Sequence, residues 1–331
     1  MNIPTTMQAI QFDQNRTITL VDLPIPEIGD DDVLVKSKVI GLCRSDIELL
    51  DGHLDAQLGI SGPVIPGHEW AGEVVATGSK VEGFAPGDGV VGECVLSPNH
   101  WFGFDYPGAG SEYFRVPARL LHLLPPGINF HQGALIEPFT IAYKGIRTSG
   151  GCDGSDVVAI VGSGMVGLAA LAIAAANGSE TVVIEPSELR RDLATKLGAT
   201  HAIDPNLASP TQSVIENLTG RTGADLVIEA SGSAPGLAST FSVAAHGGRI
   251  LNIGICADGN VTAPLGQIQA KDLTVYGTTG SSEVWPAAIR FMQQHSIALD
   301  SVITSSYSID QAHEAVTAAN EPHNVKVHVE L

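Results

Sequence analysis

The sequence predicts an α/β protein built from a β-rich part and a doubly wound parallel sheet. Three observations carry that expectation. Residues 7 to 40 break into short apolar runs, MQAIQF, TITLVDLP and DDVLVKSKVI, at strand spacing. From Asp156 onward strand-like and helix-like segments alternate, as they do when helices cover both faces of a parallel sheet. Residues 158 to 186, VAIVGSGMVGLAALAIAAANGSETVVIEP, run through strand, glycine-rich turn, helix, second strand and an acidic residue at that strand's end.

The elements follow in order. WAGEVVATG, GDGVVGECV and EYFRVP continue the strand pattern of the first part, with Gly, Pro and Asp between them. This part reads as a partly closed barrel. GALIEPFTIAYKGIRTSG, residues 133 to 150, is more helical and leads into the second part. There VVAIV (157 to 161) precedes a helix near 165 to 177, and TVVIE (181 to 185) precedes SELRRDLATKLG. HAID (201 to 204), ADLVIEAS (224 to 231), GRILNIG (248 to 254) and LTVYGTT (273 to 279) supply four further strands. A helix at about 235 to 245 separates two of them. The closing segment covers or completes the first part.

A chain of 331 residues with 44% hydrophobic content can bury two cores. Its formal net charge of −19 argues against nucleic acid and anionic membrane as partners. A local glycine nest still accommodates a nucleotide. The four cysteines, Cys43, Cys94, Cys152 and Cys256, are too widely spaced for a disulfide framework or a CxxC knuckle. The start, MNIPTTMQAIQFDQN, lacks a basic region followed by an apolar signal segment. A reducing, cytoplasmic setting is the expectation. The apolar run after Gly164 is interrupted by small residues and Asn177, which suits a buried helix better than a membrane span.

Gly162, Gly164 and Gly167 form GxGxxG between the first strand and the first helix of the second part. Gly162 makes the sharp turn, Gly164 lets backbone approach a pyrophosphate, and Gly167 lets helix pack against strand. The N–H groups at the helix start, at Met165 and Val166, favour phosphate oxygens. Glu185 offers an acceptor to the adenosine ribose hydroxyls and repels a 2′-phosphate. The expected cofactor is therefore NAD, with NADP less favoured. Arg190 and Arg191, one turn into the next helix, would soften that preference or stand as solvated cations.

Cys43, Ser45, Asp46 and Glu48 lie in IGLCRSDIELLDG, His68 and Glu69 in VIPGHEWAGEVV, and Glu137 in ALIEPFTIAY. Thiolate, imidazole and carboxylate are zinc ligands, and a fold can gather them from distant segments. A Cys–His–Glu shell leaves a position for water or a substrate oxygen, whose pKa the ion lowers. From spacing alone, Cys43 also fits an ordinary buried cysteine, His68 a structural histidine and Glu137 a helix-start carboxylate.

GLCRSD, PGHEWAGEVVATG, GDGVVG, GALIEPFTIAY and VAIVGSGMVG together resemble the medium-chain dehydrogenase/reductases. The likeness is to the zinc-dependent polyol or sorbitol dehydrogenase-like group, with features of aminocyclitol dehydrogenases. The resemblance implies a GroES-like catalytic domain over 1–143 and 282–331 and a Rossmann NAD-binding domain over 144–281. It implies that Cys43 and His68 bind the catalytic zinc. Glu69 binds it directly or in exchange with water, and Glu137 is the acidic ligand or the holder of a zinc-bound water. Ser45 matches the hydroxyl that relays the substrate proton, and Asp46 the residue that orients His68. Glu48 stands where many relatives have histidine. It assists proton release, binds a substrate group, or is an ordinary exposed carboxylate.

Relatives often carry four clustered cysteines for a structural zinc after the GDxV motif. Here Cys94 is followed by VLSPNHWFGFDYPGAGSEYF, without such a cluster. One catalytic zinc and no four-cysteine structural zinc are expected. His100, Trp101, Phe102, Phe104 and Trp285 are candidate pocket walls. The implied reaction interconverts a secondary alcohol of a polyol, sugar, cyclitol or aminocyclitol and its ketone, in a homodimer or homotetramer. A metal-free quinone or enone reductase would not need Cys43, His68 and Glu137 together. A noncatalytic nicotinamide-binding protein would bind cofactor without zinc-linked turnover.

Overall fold

The computed structural model describes residues 3–13, 15–60, 62–206, 211–256 and 259–331, without the side chains of residues 56 and 57. The chain divides into two units. One comprises Met1–Glu137, Gly280–Arg290 and Ile303–Leu331; the other comprises Pro138–Thr279 and Phe291–Val302.

The first unit opens with an antiparallel hairpin, β1 (Thr6–Phe12) and β2 (Ile18–Pro24). Its strands β3 (Asp32–Leu42), β4 (Glu69–Thr77), β5 (Gly89–Gly92), β8 (Tyr113–Pro117) and β9 (Leu121–Leu123) belong to one sheet. The short β6 (Val95–Ser97) and β7 (His100–Trp101) pair separately. Helices α1 (Arg44–Leu50), α2 (Asp55–Leu58) and α3 (Phe130–Ala134) interrupt the strands, and α4 (Ile136–Thr148) begins at this unit's edge.

The second unit holds six parallel strands: β10 (Val157–Val161), β11 (Glu180–Ile184), β12 (His201–Ile203), β13 (Ala224–Glu229), β14 (Ala244–Asn252) and β15 (Thr274–Gly277). Their spatial order is β12-β11-β10-β13-β14-β15. The order reverses between β10 and β13, the point at which open α/β sheets bind ligands at the carboxyl ends of their strands. Every residue of β10 is buried, as expected for a strand covered on both faces. Helix α5 (Met165–Ala176), apolar on all sides, is buried over most of its length. Helices α6 (Glu188–Lys196), α7 (Thr211–Thr219), α8 (Ala234–Val243) and α9 (Gly266–Ala270) complete the connections.

The closing segment serves both units. Helix α10 (Trp285–Gln294) crosses the division, whereas β16 (Ile303–Ser308), α11 (Ala312–Ala319) and β17 (Lys326–Glu330) lie in the first. The main sheet there runs β16-β17-β3-β4-β5-β9, with β8 also on β3. The C-terminal strand therefore completes the N-terminal sheet. Each unit has its own apolar core, one including Ile40, Trp70, Phe114 and Val327, the other Ala159, Val182, Val227 and Ile250.

Candidate functional site

Strand register builds the first site. Antiparallel β3 and β4 set Gly41 opposite Glu69, while Val327 of β17 lies opposite Leu42. The end of β3 therefore meets the beginnings of β4 and β17. Cys43 follows β3 and caps the N-terminus of α1, its N–H donating to Asp46 Oδ2 at 2.8 Å. Gly41 leaves the space that Glu69 fills, since a Cβ there would stand 2.5 Å from Glu69 Oε2.

Cys43, His68 and Glu69 present ligand atoms within 4.8 Å of one another. His68 and Glu69 are buried and Cys43 is half-buried. His68 Nε2 is 3.4 Å from Ser45 Oγ. His68 Nδ1 is 3.5 Å from Asp46 Oδ1, an ion-pair distance; neither atom has a hydrogen-bond partner. Burial opposes a charged His68, but Asp46 and then Cys43 outweigh it and hold the imidazole well above its ordinary pKa. Phe104 covers the ring at a centroid distance of 4.8 Å.

Glu69 has a partner that the sequence reading did not identify. Lys326 Nζ donates to Glu69 Oε2 at 2.5 Å and to the Leu42 carbonyl at 3.0 Å, and both charged side chains are buried. Burial lowers the Lys326 pKa, but Glu69 outweighs it and raises the net value. No local signal separates this lysine from any other strand residue. Glu137, second in α4, lies outside the group of three convergent donors. Its Oε1 accepts from the Cys94 thiol at 3.7 Å, and Cys94 is a further buried residue that the reading left without a role. Burial, then the charge of Glu69, raises the Glu137 pKa to about 7 against the opposing effects of His68 and Lys326.

Glu48 is buried, so the reading of it as an exposed carboxylate does not apply. Its Oε1 accepts from Arg44 Nε at 2.6 Å, and its Oε2 lies 2.5 Å from His53 Nδ1. Burial alone would raise the Glu48 pKa, but His53 and Arg44 lower it overall. The candidate pocket walls separate. Trp285 is fully buried, donates to Ser281 Oγ at 3.0 Å and stacks on His122. Phe102 is also fully buried, between Trp70, Tyr106 and Phe114. His100 is exposed and pairs with Asp105, while Trp101 is half-buried. Phe104 alone of the five has a ring contact with a metal-ligand candidate.

In the second unit, Gly162 adopts φ +90°, and a Cβ there would lie 2.6 Å from Ser231 Cα. A Cβ on Gly167 would lie 2.1 Å from the Gly162 carbonyl, whereas one on Gly164 would meet nothing within 4 Å. The turn therefore needs glycine at its first and last positions and leaves open space at the middle one. Glu185, just past β11, accepts from the N–H groups of Ser163 and Ser187, each at 2.9 Å. Ser163, which the sequence reading passed over, thus ties the glycine turn to the acidic residue. Arg191 is not a free surface cation: its Nη1 donates to the Glu185 and Pro186 carbonyls, each at 2.7 Å.

Known proteins share this architecture. Residues 29–126 match the family Alcohol dehydrogenase GroES-like domain, and residues 165–294 match Zinc-binding dehydrogenase. L-threonine 3-dehydrogenase of Pyrococcus horikoshii is 33% identical over 89% of this chain and 90% of its own length. The chain is a zinc-binding medium-chain dehydrogenase/reductase. The sorbitol dehydrogenase of Bacillus subtilis is 29% identical to this dehydrogenase, over 96% of the chain and 94% of its own. Among solved structures, 2R,3R-butanediol dehydrogenase from Bacillus subtilis superposes with a TM-score of 0.87 at 27% identity, covering 98% and 99% of the two chains. Galactitol-1-phosphate dehydrogenase from Escherichia coli gives 0.85 at 26%, covering 98% and 100%.

The dehydrogenase is an NAD(P)-dependent, zinc-binding oxidoreductase of secondary alcohols and ketones. Cys43, His68 and Glu69 are its zinc-binding triad, and their thiolate, imidazole and carboxylate donors fit that ion. Its four cysteines contain no structural-zinc cluster. Among the described residues no helix is long and apolar enough to cross a membrane.

Proposed function

We propose that this dehydrogenase interconverts a secondary alcohol of a polyol, sugar, cyclitol or aminocyclitol and its ketone, with NAD as the hydride carrier. The convergence of Cys43, His68 and Glu69 carries the reading. Sorbitol, butanediol and galactitol phosphate in the names of similar proteins support a polyhydroxylated substrate. The L-threonine dehydrogenases keep a hydroxylated amino compound within the class.

Zinc, when bound, supplies a Lewis acid that lowers the pKa of the substrate hydroxyl. Cys43, His68 and Glu69 hold the ion, and Glu137 is its acidic ligand or steadies a water beside it. Asp46 orients His68 from the Nδ1 side, leaving Nε2 toward Ser45. Ser45 receives the substrate proton. Glu48, on the next turn of α1, holds His53 as the outward proton acceptor. Lys326 holds Glu69 Oε2 in a buried ion pair beside the other two donors.

Gly162, Gly164 and Gly167 shape the pyrophosphate turn, and the Met165 and Val166 N–H groups face the phosphates. Glu185 binds the ribose hydroxyls and disfavours a 2′-phosphate, with Arg190 beside the adenosine. The assembly is a homodimer or homotetramer. Support comes from β15, an outer strand of its sheet with Val275 exposed.

The test is absorbance at 340 nm across polyols, cyclitols and aminocyclitols. NAD is compared with NADP, before and after chelation and zinc restoration. Zinc-restorable reduction of NAD is expected. Turnover that survives complete metal removal would overturn the metal chemistry, and binding of zinc and NAD without turnover on any of the panel would overturn the substrate class.

A further inference from the structure

The second unit buries an acidic residue that has no part in the scheme above. Glu229 closes β13 at its carboxyl end and is 1% exposed. Strand β10 lies between β11 and β13, and Glu229 stands in register with Val161, the last residue of β10. The glycine turn begins at the next residue, Gly162. The ends of both neighbouring strands therefore bring a carboxylate to the turn, Glu185 just past β11 and Glu229 from β13.

Glu185 reaches the turn through the Ser163 N–H. Glu229 reaches it through the chain that follows β13. Its Oε1 accepts from the Ser231 N–H at 2.8 Å, from the Gly232 N–H at 3.2 Å and from the Ser231 hydroxyl. Bonds to a charged acceptor are the strong ones, and three of them converge on one atom here. Gly254 leaves room for the carboxylate, since a Cβ there would lie 2.2 Å from Oε2. The bonded residue Ser231 is also the wall against which Gly162 packs. A Cβ on Gly162 would lie 2.6 Å from Ser231 Cα and 2.7 Å from Ser231 Cβ. The backbone around the wall is tied on both sides. The Ala230 N–H donates to the Val161 carbonyl at 2.8 Å, and the Ile253 and Gly254 N–H groups donate to the Glu229 carbonyl at 2.9 and 3.0 Å. Glu229 thus sets the place of Ser231, and Ser231 limits the place of Gly162. A turn held in advance has less ordering left to undergo when a ligand arrives.

We propose that Glu229 is a positioning residue for the cofactor: its carboxylate fixes Ser231 against Gly162 and so holds the glycine turn in the shape that receives the pyrophosphate. This rests on the reading of Gly162, Gly164 and Gly167 as the pyrophosphate turn.

The experiment compares the wild type, Glu229→Ala, Glu229→Asp, Glu229→Gln and Gly167→Ala, each as the intact chain with its zinc content measured. NADH is titrated by fluorescence. ADP-ribose, which carries the pyrophosphate without the nicotinamide, is titrated by calorimetry. Glu229→Asp keeps the charge but withdraws the acceptor by one methylene, whereas Glu229→Gln keeps the reach and removes the charge. Glu229→Ala and Glu229→Asp should weaken both ligands about 10-fold, the equivalent of one hydrogen bond to a charged group. Glu229→Gln, which still places an oxygen before the three donors, should stay within about 3-fold of the wild type, a fraction of such a bond. Zinc content should be unchanged throughout. If Glu229→Ala does not fold, the aspartate and glutamine variants decide the matter between them.

A merely structural Glu229 would lower the urea midpoint and leave the affinities of the folded variants alone. Wild-type affinities in Glu229→Asp, beside a weakened Gly167→Ala, would therefore overturn the proposal and leave the turn reading standing. A loss for NADH without a loss for ADP-ribose would also overturn it, because Glu229 would then serve the nicotinamide half. So would a Glu229→Gln protein that binds worse than Glu229→Asp, since charge rather than placement would be at work. Wild-type NADH binding in Gly167→Ala would defeat the turn reading, and the proposal with it.

Discussion

Replacing Lys326 by Met tests the buried pair at the metal site. The substitution removes the ammonium and keeps most of the side-chain volume. Glu69 and Lys326 side chains are 1% and 3% exposed, with Nζ and Oε2 2.5 Å apart. At an effective dielectric of about 20, that separation corresponds to roughly 7 kcal/mol of attraction. Desolvation of the two charges opposes it, so the pair itself contributes much less. Deleting one partner is a different matter, because it leaves the other charge buried and uncompensated, at about 3–5 kcal/mol. The Leu42 carbonyl also loses its donor, for about 1 kcal/mol.

Lys326→Met should therefore destabilise the metal-free protein by about 3–5 kcal/mol, read as a lowered midpoint in urea. The Lys326→Met/Glu69→Gln protein should recover most of that loss, and zinc should rescue the single variant more than the wild type by restoring a positive charge beside Glu69. A loss under about 1 kcal/mol, typical of an exposed pair, would refute the reasoning. So would additive effects in the double-mutant cycle.

His328 gives a pH signature. Burial, then Lys326 and His131, lowers its pKa from 6.5 to about 3. The unfolded chain takes up the proton first, so this contribution is full above pH 6.5 and is lost as pH falls toward about 3; between pH 7 and 5 the loss should be about 2 kcal/mol. Urea midpoints of His328→Phe should show a correspondingly shallower fall over that interval; parallel curves would count against the assignment. Cys43→Ser or His68→Asn should abolish stoichiometric zinc by elemental analysis while NADH fluorescence titrations stay near wild type, and retained zinc would remove that residue from the ligand set. Gly167→Ala places a Cβ 2.1 Å from the Gly162 carbonyl and should weaken NADH binding at least about 10-fold, a shift of 1.4 kcal/mol, with wild-type binding arguing against this turn as the dinucleotide site.

The expected β-rich part, parallel sheet and glycine turn were legible because each depends on neighbours in the chain. Residues 157 to 161 are apolar throughout, so they suit a doubly covered strand. Gly162 and Gly167 sit within one turn of the same helix start, where five residues of separation fix their spacing. The types of the donor atoms were legible too, since Cys43, His68 and Glu69 lie in contiguous motifs. Glu48 was harder. Its burial and its His53 partner depend on how the segment after α1 folds back, which periodicity does not encode.

By itself, then, the sequence determined the local chemistry: where a dinucleotide turn stands, which residues can bind a metal, and which segments are strands. Tertiary structure decided how those groups are completed. Lys326 meets Glu69 across 257 positions because β17 and β4 both pair with β3 in fixed register. Cys94 meets Glu137 across 43 positions because the chain after β5 and the start of α4 are brought together by packing. Strand pairing and packing are set by the whole sheet and core, so no window of neighbouring residues contains them.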